Sequence, residues 1–354
     1  MSPLACVRHG TAAACLISLL SLPVGAVTID WVTVGNPGNA NESGTGFGAV
    51  AEVYSIMTYE WTNAQYVEFL NAVDPQGTNP NGIYNALMAS DPRAGITNSG
   101  TSDGSRYATR TNMGNKPVNY VDWWDVARVA NWLQAGATTY GTSVSGSTAI
   151  NSGAYTLAGA ISGVAPAKNS GAQYWVPSKN EWYKAAYYSP LLNSGAGGYY
   201  TYATQSNSAP TPVTATTVGT GTSGGVSPVT TGNVANYNND AHWGSPVVQN
   251  GNVTTVGSNG GSSYYGTFDQ SGNVLEWNGQ TSSSTSGLMG GSFKGVAADI
   301  DFTYNNSSYP TSGFQDGIGF RLVAVPEPAS LGLVAFGAVA GAALATLRRH
   351  AARC

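Results

Sequence analysis

The 354-residue chain carries 14 Lys plus Arg against 18 Asp plus Glu, a net charge of −4, and only 9% of its residues are charged. It has no basic track for nucleic acid, which excludes that class of partner. Cys6, Cys15, Cys354, His9 and His350 all lie at the ends, leaving residues 27–324 with His242 and no cysteine; disulfides, cysteine nucleophiles and thiolate or multi-histidine metal centres are therefore excluded there.

Residues 1–26 place Arg8 and His9 ahead of an apolar run from Ala12 to Leu22 and close on Val24-Gly25-Ala26. A basic start, a short apolar stretch and small residues before a cut after Ala26 describe a secretory signal peptide, too short in its apolar part to span a bilayer. The body that follows has ten Lys plus Arg against seventeen Asp plus Glu between Val27 and Ala324, so its solubility rests on Asn, Ser, Thr and Gly.

Val27–Val34 alternates like a strand and Asn36-Pro37-Gly38-Asn39 turns it; a second strand is expected from Val50 to Met57. Thr62-Asn63-Ala64-Gln65 has the form of a capping box, and Tyr66, Phe69, Leu70 and Val73 follow at helical spacing until Asp74-Pro75 stops the helix. Residues 76–115 are rich in turn formers. Val118–Val121 reads as a short strand, after which Asp122 caps a helix whose Val126, Val129, Ala130 and Leu133 face a core. Residues 136–171 read as an inserted loop or small hairpin that need not be ordered, and residues 195–232 as a second low-complexity span. Between them Tyr174-Trp175-Val176-Pro177 is a strand, and Ser178-Lys179-Asn180-Glu181 is a second capping box opening a helix to Tyr188. Val253–Gly257 reads as a short strand, and Gly319–Val323 as an edge-to-core strand ending the body. Few short helices, many short strands and long irregular loops make one α+β domain.

The densest polar cluster is Phe268-Asp269-Gln270-Ser271-Gly272-Asn273-Val274-Leu275-Glu276-Trp277. On residue types alone it is either a polar turn ahead of a buried strand or an oxygen-rich turn of the kind Ca²⁺ prefers. Past the body, Val325-Pro326-Glu327-Pro328 precedes an apolar run from Leu331 to Leu347 and a basic end, Arg348-Arg349-His350-Ala351-Ala352-Arg353. About 17 apolar residues are at the short limit for a spanning helix, with the arginines on the cytoplasmic side. This order resembles the PEP-CTERM sorting signal, which implies a bacterial envelope protein handed to an exosortase-type enzyme and associated with exopolysaccharide.

In order along the chain, Tyr59–Tyr66, Pro117–Trp123, Val176–Trp182, Asp269–Trp277, Gly290-Gly291-Ser292-Phe293 and Gly319-Phe320-Arg321 resemble the landmarks of the formylglycine-generating enzyme, or sulfatase-modifying factor, family. The resemblance spans residues 50–323 and implies an irregular fold like that of C-type lectins. Oxidase members bind copper through two cysteines after the Gly-Gly-Ser motif; those positions fall here at Gly295 and Ile300. A soft Cu(I) site loses its ligands without thiolates, so formylglycine synthesis is not expected. The resemblance further implies a structural Ca²⁺ held by the Asp269 side chain and the carbonyls of Gln270, Gly272 and Val274. A second site would match Asn236 and Tyr237, with Glu60 as a further candidate ligand. Asn273, Glu276, Trp277 and Arg321 read as structural, Glu276 as a buried carboxylate satisfied by nearby amides.

Three functions stay open on these grounds. One is a non-catalytic surface or matrix protein that binds glycan or another envelope component. The second is an enzyme that keeps the family pocket with altered metal chemistry, and the third is a structural spacer.

Overall fold

The computed structural model describes residues 27–139, 141, 149–214, 231–241, 251–282 and 284–326. The signal-peptide segment 1–26, His242, Glu327, Pro328 and the apolar run 331–347 lie outside the described residues. No helix of the described residues is long and apolar enough to cross a membrane.

Three helices form where local chemistry closes their first turns. Helices α1 (Asn63–Val73), α2 (Trp123–Gln134) and α3 (Lys179–Tyr187) are each opened by a reciprocal capping box, made by Thr62 with Gln65, Asp122 with Asp125, and Ser178 with Glu181. In each, two amide donors that the helix itself cannot satisfy are taken up by side chains. The box of α2 joins two carboxylates, and burial pushes the Asp122 carboxyl up to about 7. Tyr66, Phe69, Leu70 and Val73 of α1 are buried, as are Val126, Val129, Ala130 and Leu133 of α2.

Eight strands make two four-stranded sheets. The first sheet runs in the order β1 (Trp31–Val34), β2 (Tyr54–Met57), β8 (Val323–Ala324), β3 (Tyr174–Trp175), all antiparallel. The second runs β6 (Asn306–Pro310), β5 (Thr285–Met289), β4 (Leu275–Ser282), β7 (Ile318–Gly319), with β4 and β7 parallel. The short stretch from β7 to β8 therefore serves both sheets. It passes so close to the rest of the chain that a Cβ on Gly319 would lie 2.6 Å from the Val118 carbonyl oxygen. One residue on, Phe320 stacks on Trp61 with ring centroids 5.5 Å apart and planes 15° from parallel, at the heart of the main core.

Architecture and class agree with the α+β reading, but four local expectations do not. Val253–Gly257 is not a strand, because its backbone is tied to side chains and loops: the Thr254 N–H donates to Asn273 Oδ1 and the Val256 N–H to the Asn115 carbonyl. Val118–Val121 is irregular too; Tyr120 sits at φ 58°, which no strand accommodates. Gly319–Val323 is split between two sheets, and β8 lies in the middle of the first one. Residues 149–171 are packed, with Ile150, Ala154, Tyr155 and Leu157 buried in the main core. The few apolar residues that are buried there suffice because the turn at residues 149–151 packs beside α2, while Ile161 and Val164 stay exposed.

Candidate functional site

Three fully buried ionisable groups and one half-buried carboxylate meet where β4, the turn before it and the β7–β8 stretch converge. Arg321 donates from Nε to Glu276 Oε2 at 2.6 Å and from Nη2 to Glu276 Oε1 at 2.7 Å, and both residues are fully buried. The remaining guanidinium donors reach the carbonyls of Met57 (3.1 Å), Thr58 (3.2 Å) and Phe268 (2.7 Å). Trp182 Nε1 donates to Glu276 Oε2 at 2.7 Å. A planar fork on a carboxylate is the geometry in which a buried pair recovers most of its desolvation cost. The partners of Glu276 are thus a guanidinium and an indole, not the amides expected from the sequence. No neighbouring residue in the chain announces either: Arg321 and Trp182 arrive from elements far away in sequence.

Beside this pair lie Glu60, fully buried, and the half-buried Asp269. Glu60 Oε2 accepts from Asn273 Nδ2 at 2.6 Å and Oε1 from the Val274 N–H at 3.2 Å. Burial, followed by the charges of Asp269 and Glu276, holds the Glu60 carboxyl well above the usual range, with Arg321 opposing. Burial also pushes Asp269 up to about 7, although the Gly257 N–H donates to its carboxylate. Burial alone would weaken the Arg321 charge, yet Glu276, Glu60 and Asp269 outweigh it and raise its pKa. Three carboxylates against one guanidinium leave two negative charges if all are ionised.

Asn273 pins the surrounding loops. At φ 59° it donates its N–H to the Asn236 carbonyl (2.8 Å), while its own carbonyl accepts from the Phe293 N–H (2.8 Å). Its Oδ1 accepts from Asn236 Nδ2 (3.0 Å) and from the Thr254 N–H (2.9 Å). Gly272, at φ 100°, lies so close to Asn236 that a Cβ would be 2.3 Å from that carbonyl oxygen. Trp277 is fully buried and donates from Nε1 to the Val121 carbonyl at 3.1 Å.

The donor set can be compared with what a hard cation needs. Among the described residues, no hydrogen-bond donor reaches the carbonyl oxygens of Gln270, Gly272 or Val274. Asn236 Oδ1 is buried without a partner. No three His, Cys, Asp or Glu side chains of the described residues converge on one point, so a cation here would rest mainly on carbonyl oxygens with Asp269. Such oxygens, next to three carboxyl groups that face a single guanidinium, fit Ca²⁺. The Tyr237 side chain is directed elsewhere, its hydroxyl donating to the Pro210 carbonyl.

The two positions that the resemblance sets against the copper cysteines hold other chemistry. Gly295 sits in a turn, donating its N–H to the Ser292 carbonyl, and a Cβ there would be 2.9 Å from Asp299 Cβ. Ile300 is fully buried against Tyr202, Ala235 and Tyr237, and its carbonyl accepts from Ser271 Oγ at 2.9 Å. Phe293 is fully buried with Met113, Val253 and Val274. An open cleft of about 410 Å³ lies instead beside Tyr59, Glu60 and Thr62. Of the four residues expected as a sorting motif, Val325 and Pro326 lie at the end of the described residues and border the first sheet.

A family model described as the sulfatase-modifying factor enzyme 1-like domain matches residues 22–325. A search of curated proteins gives no significant match. Solved structures similar to this chain include the crystal structure of CarF, 20% identical, with 85% of this chain and 99% of that chain covered and a TM-score of 0.46. Treponema denticola variable protein 1 is 16% identical, with 86% and 98% covered and a TM-score of 0.47. PvdO from Pseudomonas aeruginosa is 18% identical, with 84% and 92% covered and a TM-score of 0.41.

Proposed function

This chain belongs to the sulfatase-modifying factor enzyme 1-like family, and we propose that it serves there as a non-catalytic, glycan-binding protein of a bacterial cell surface or extracellular matrix. The observation that carries this reading is the pair Gly295 and Ile300: one is a tight turn and the other a buried aliphatic side chain, where copper chemistry needs two thiolates. The low charge of the body suits contact with neutral, hydroxyl-rich material.

Export follows from residues 1–26 and from Val325, Pro326, Glu327 and Pro328 with the apolar run 331–347, which holds the protein in the membrane until an exosortase-type enzyme acts on it. Exopolysaccharide is then the material at hand. Calcium has a structural part in this reading. Asp269 with the carbonyls of Gln270, Gly272 and Val274 would hold one ion, and Asn236, Tyr237 and Glu60 are the further candidates. Bound there, the ion supplies the positive charge that Arg321 alone does not, and ties loops that no disulfide holds.

Metal analysis after native purification, together with glycan-array binding, tests the reading. Calcium as the stoichiometric metal and binding of a glycan at millimolar concentration or below are the expected results. Stoichiometric copper or iron with oxygen consumption on a thiol peptide overturns it.

A further inference from the structure

Strand alternation divides the first sheet into a core face and an outer face. Val32, Ile56, Val323 and Trp175 stand opposite one another across the four strands, and Ile56, Val323 and Trp175 are buried in the main core. The next row, Thr33, Ser55, Ala324 and Tyr174, therefore faces outward, together with Trp31 two residues before Thr33. The middle strands contribute only the small side chains of Ser55 and Ala324. Over them the two rings of the edge strands lean together, Trp31 and Tyr174 having centroids 6.0 Å apart and planes tilted by 37°. Both rings are half-buried: they pack against the main core and each other, and part of each stays open to the groove.

These residues line a groove of about 930 Å³. Its edge is fixed by Val325, whose N–H donates to the Gln173 carbonyl at 3.0 Å and so prolongs the pairing of β8 with β3. The polar side chains along the groove, Asp30, Thr33, Ser55, Gln173 and the Tyr174 hydroxyl, have no protein hydrogen-bond partner among the described residues. Among the described residues, Asp30 is the one charged side chain in the lining, with no Lys or Arg to meet a phosphate or an acidic polymer.

We infer that this groove is a binding site for a neutral oligosaccharide. The C–H faces of pyranose rings carry a slight positive charge and pack on the negative faces of Trp31 and Tyr174. The sugar hydroxyls supply a partner for each unpaired side chain, which a dry apolar protein surface would leave unsatisfied. The volume lies near the top of the range of about 300–1,000 Å³ for small-ligand sites, so the groove takes several sugar units. This deepens the glycan-binding reading above and rests on it.

Titration calorimetry on the full chain in detergent tests the site, with hexasaccharides of β-1,4-glucose, β-1,4-mannose and α-1,4-glucose as neutral probes and an alginate hexasaccharide as the anionic one. The wild type should bind at least one neutral probe at millimolar concentration or below and should ignore alginate. Trp31→Ala and Tyr174→Ala should each weaken binding at least tenfold. Gln173→Ala, an exposed rim position without packing duties, should weaken it about threefold at an unchanged melting temperature. If the wild type binds a neutral probe and all three variants bind as well as it does, the groove is not the site while the glycan reading survives. If no neutral probe binds, both fail. A dimer that Trp31→Ala dissolves, with no sugar binding, makes this face a contact between copies and overturns the inference.

Discussion

Removing the calcium proposed at Asp269 should expose the charge imbalance around this residue as a pH-dependent loss of stability. Burial pushes this carboxyl up to about 7, against ~3.9 in an unfolded chain. The native state then keeps a proton that the unfolded state has released. Stability from this group is fully present below the unfolded value, declines by ~1.4 kcal/mol per pH unit between about 4 and 7, and is flat above. Over that window the loss is on the order of 4 kcal/mol, a large part of the 5–15 kcal/mol typical of a domain. Glu60 is raised by the same burial and adds its own slope, so the quantity to read is the difference between wild type and Asp269→Asn. The asparagine keeps an acceptor for the Gly257 N–H but cannot ionise. Urea melts in EDTA from pH 5 to 8 should give the wild type the steeper decline, by one proton's worth. At pH 7.5, calcium at a hundred times its dissociation constant should restore about 2.7 kcal/mol to the wild type and much less to the variant. If EDTA leaves the wild-type midpoint unmoved at pH 7.5 and the two pH profiles run parallel, both the calcium site and the charge argument are wrong.

Two further outcomes follow from the same centre. Arg321→Met leaves Glu276 buried with the Trp182 indole as its remaining donor, which should cost about 3–5 kcal/mol and lower the melting temperature by roughly 6–10 °C at ~2 °C per kcal/mol. Adding Glu276→Leu should return part of that loss in calorimetry, and strictly additive losses would refute a coupled pair. Gly272→Ala puts a Cβ 2.3 Å from the Asn236 carbonyl oxygen at φ 100°, so a drop of at least ~2 kcal/mol in denaturant melts is expected; a wild-type midpoint would show that the loop yields freely.

What the sequence makes legible is local chemistry. A capping box closes within four residues, so the starts of α1 and α3 are written in Thr62–Gln65 and Ser178–Glu181. Strands of two residues carry no such signature. β8 is a strand because β2 and β3, remote in sequence, flank it. Val253–Gly257 has strand-forming residues, yet the Asn273 side chain takes the Thr254 amide that a ladder would have used. Asp269, Asn273 and Glu276 stood out as one polar turn, whereas their partners Glu60, Asn236, Trp182 and Arg321 are joined to them only by the fold. Trp31 and Tyr174 read as ordinary strand aromatics, since only the register across two intervening strands sets them side by side.

The place of β8 bears on when this body becomes a body at all. Its first sheet has strands from the beginning of the chain, but the slot between β2 and β3 is filled by Val323 and Ala324. Until those two residues arrive, β2 and β3 each show a bare row of amides and carbonyls, and Glu276 lacks Arg321. Closing such long-range contacts is slow. A chain that folds from its N-terminus thus stays pliable and locks shut only with this strand, and a truncation before Val323 should leave the chain short of its native state.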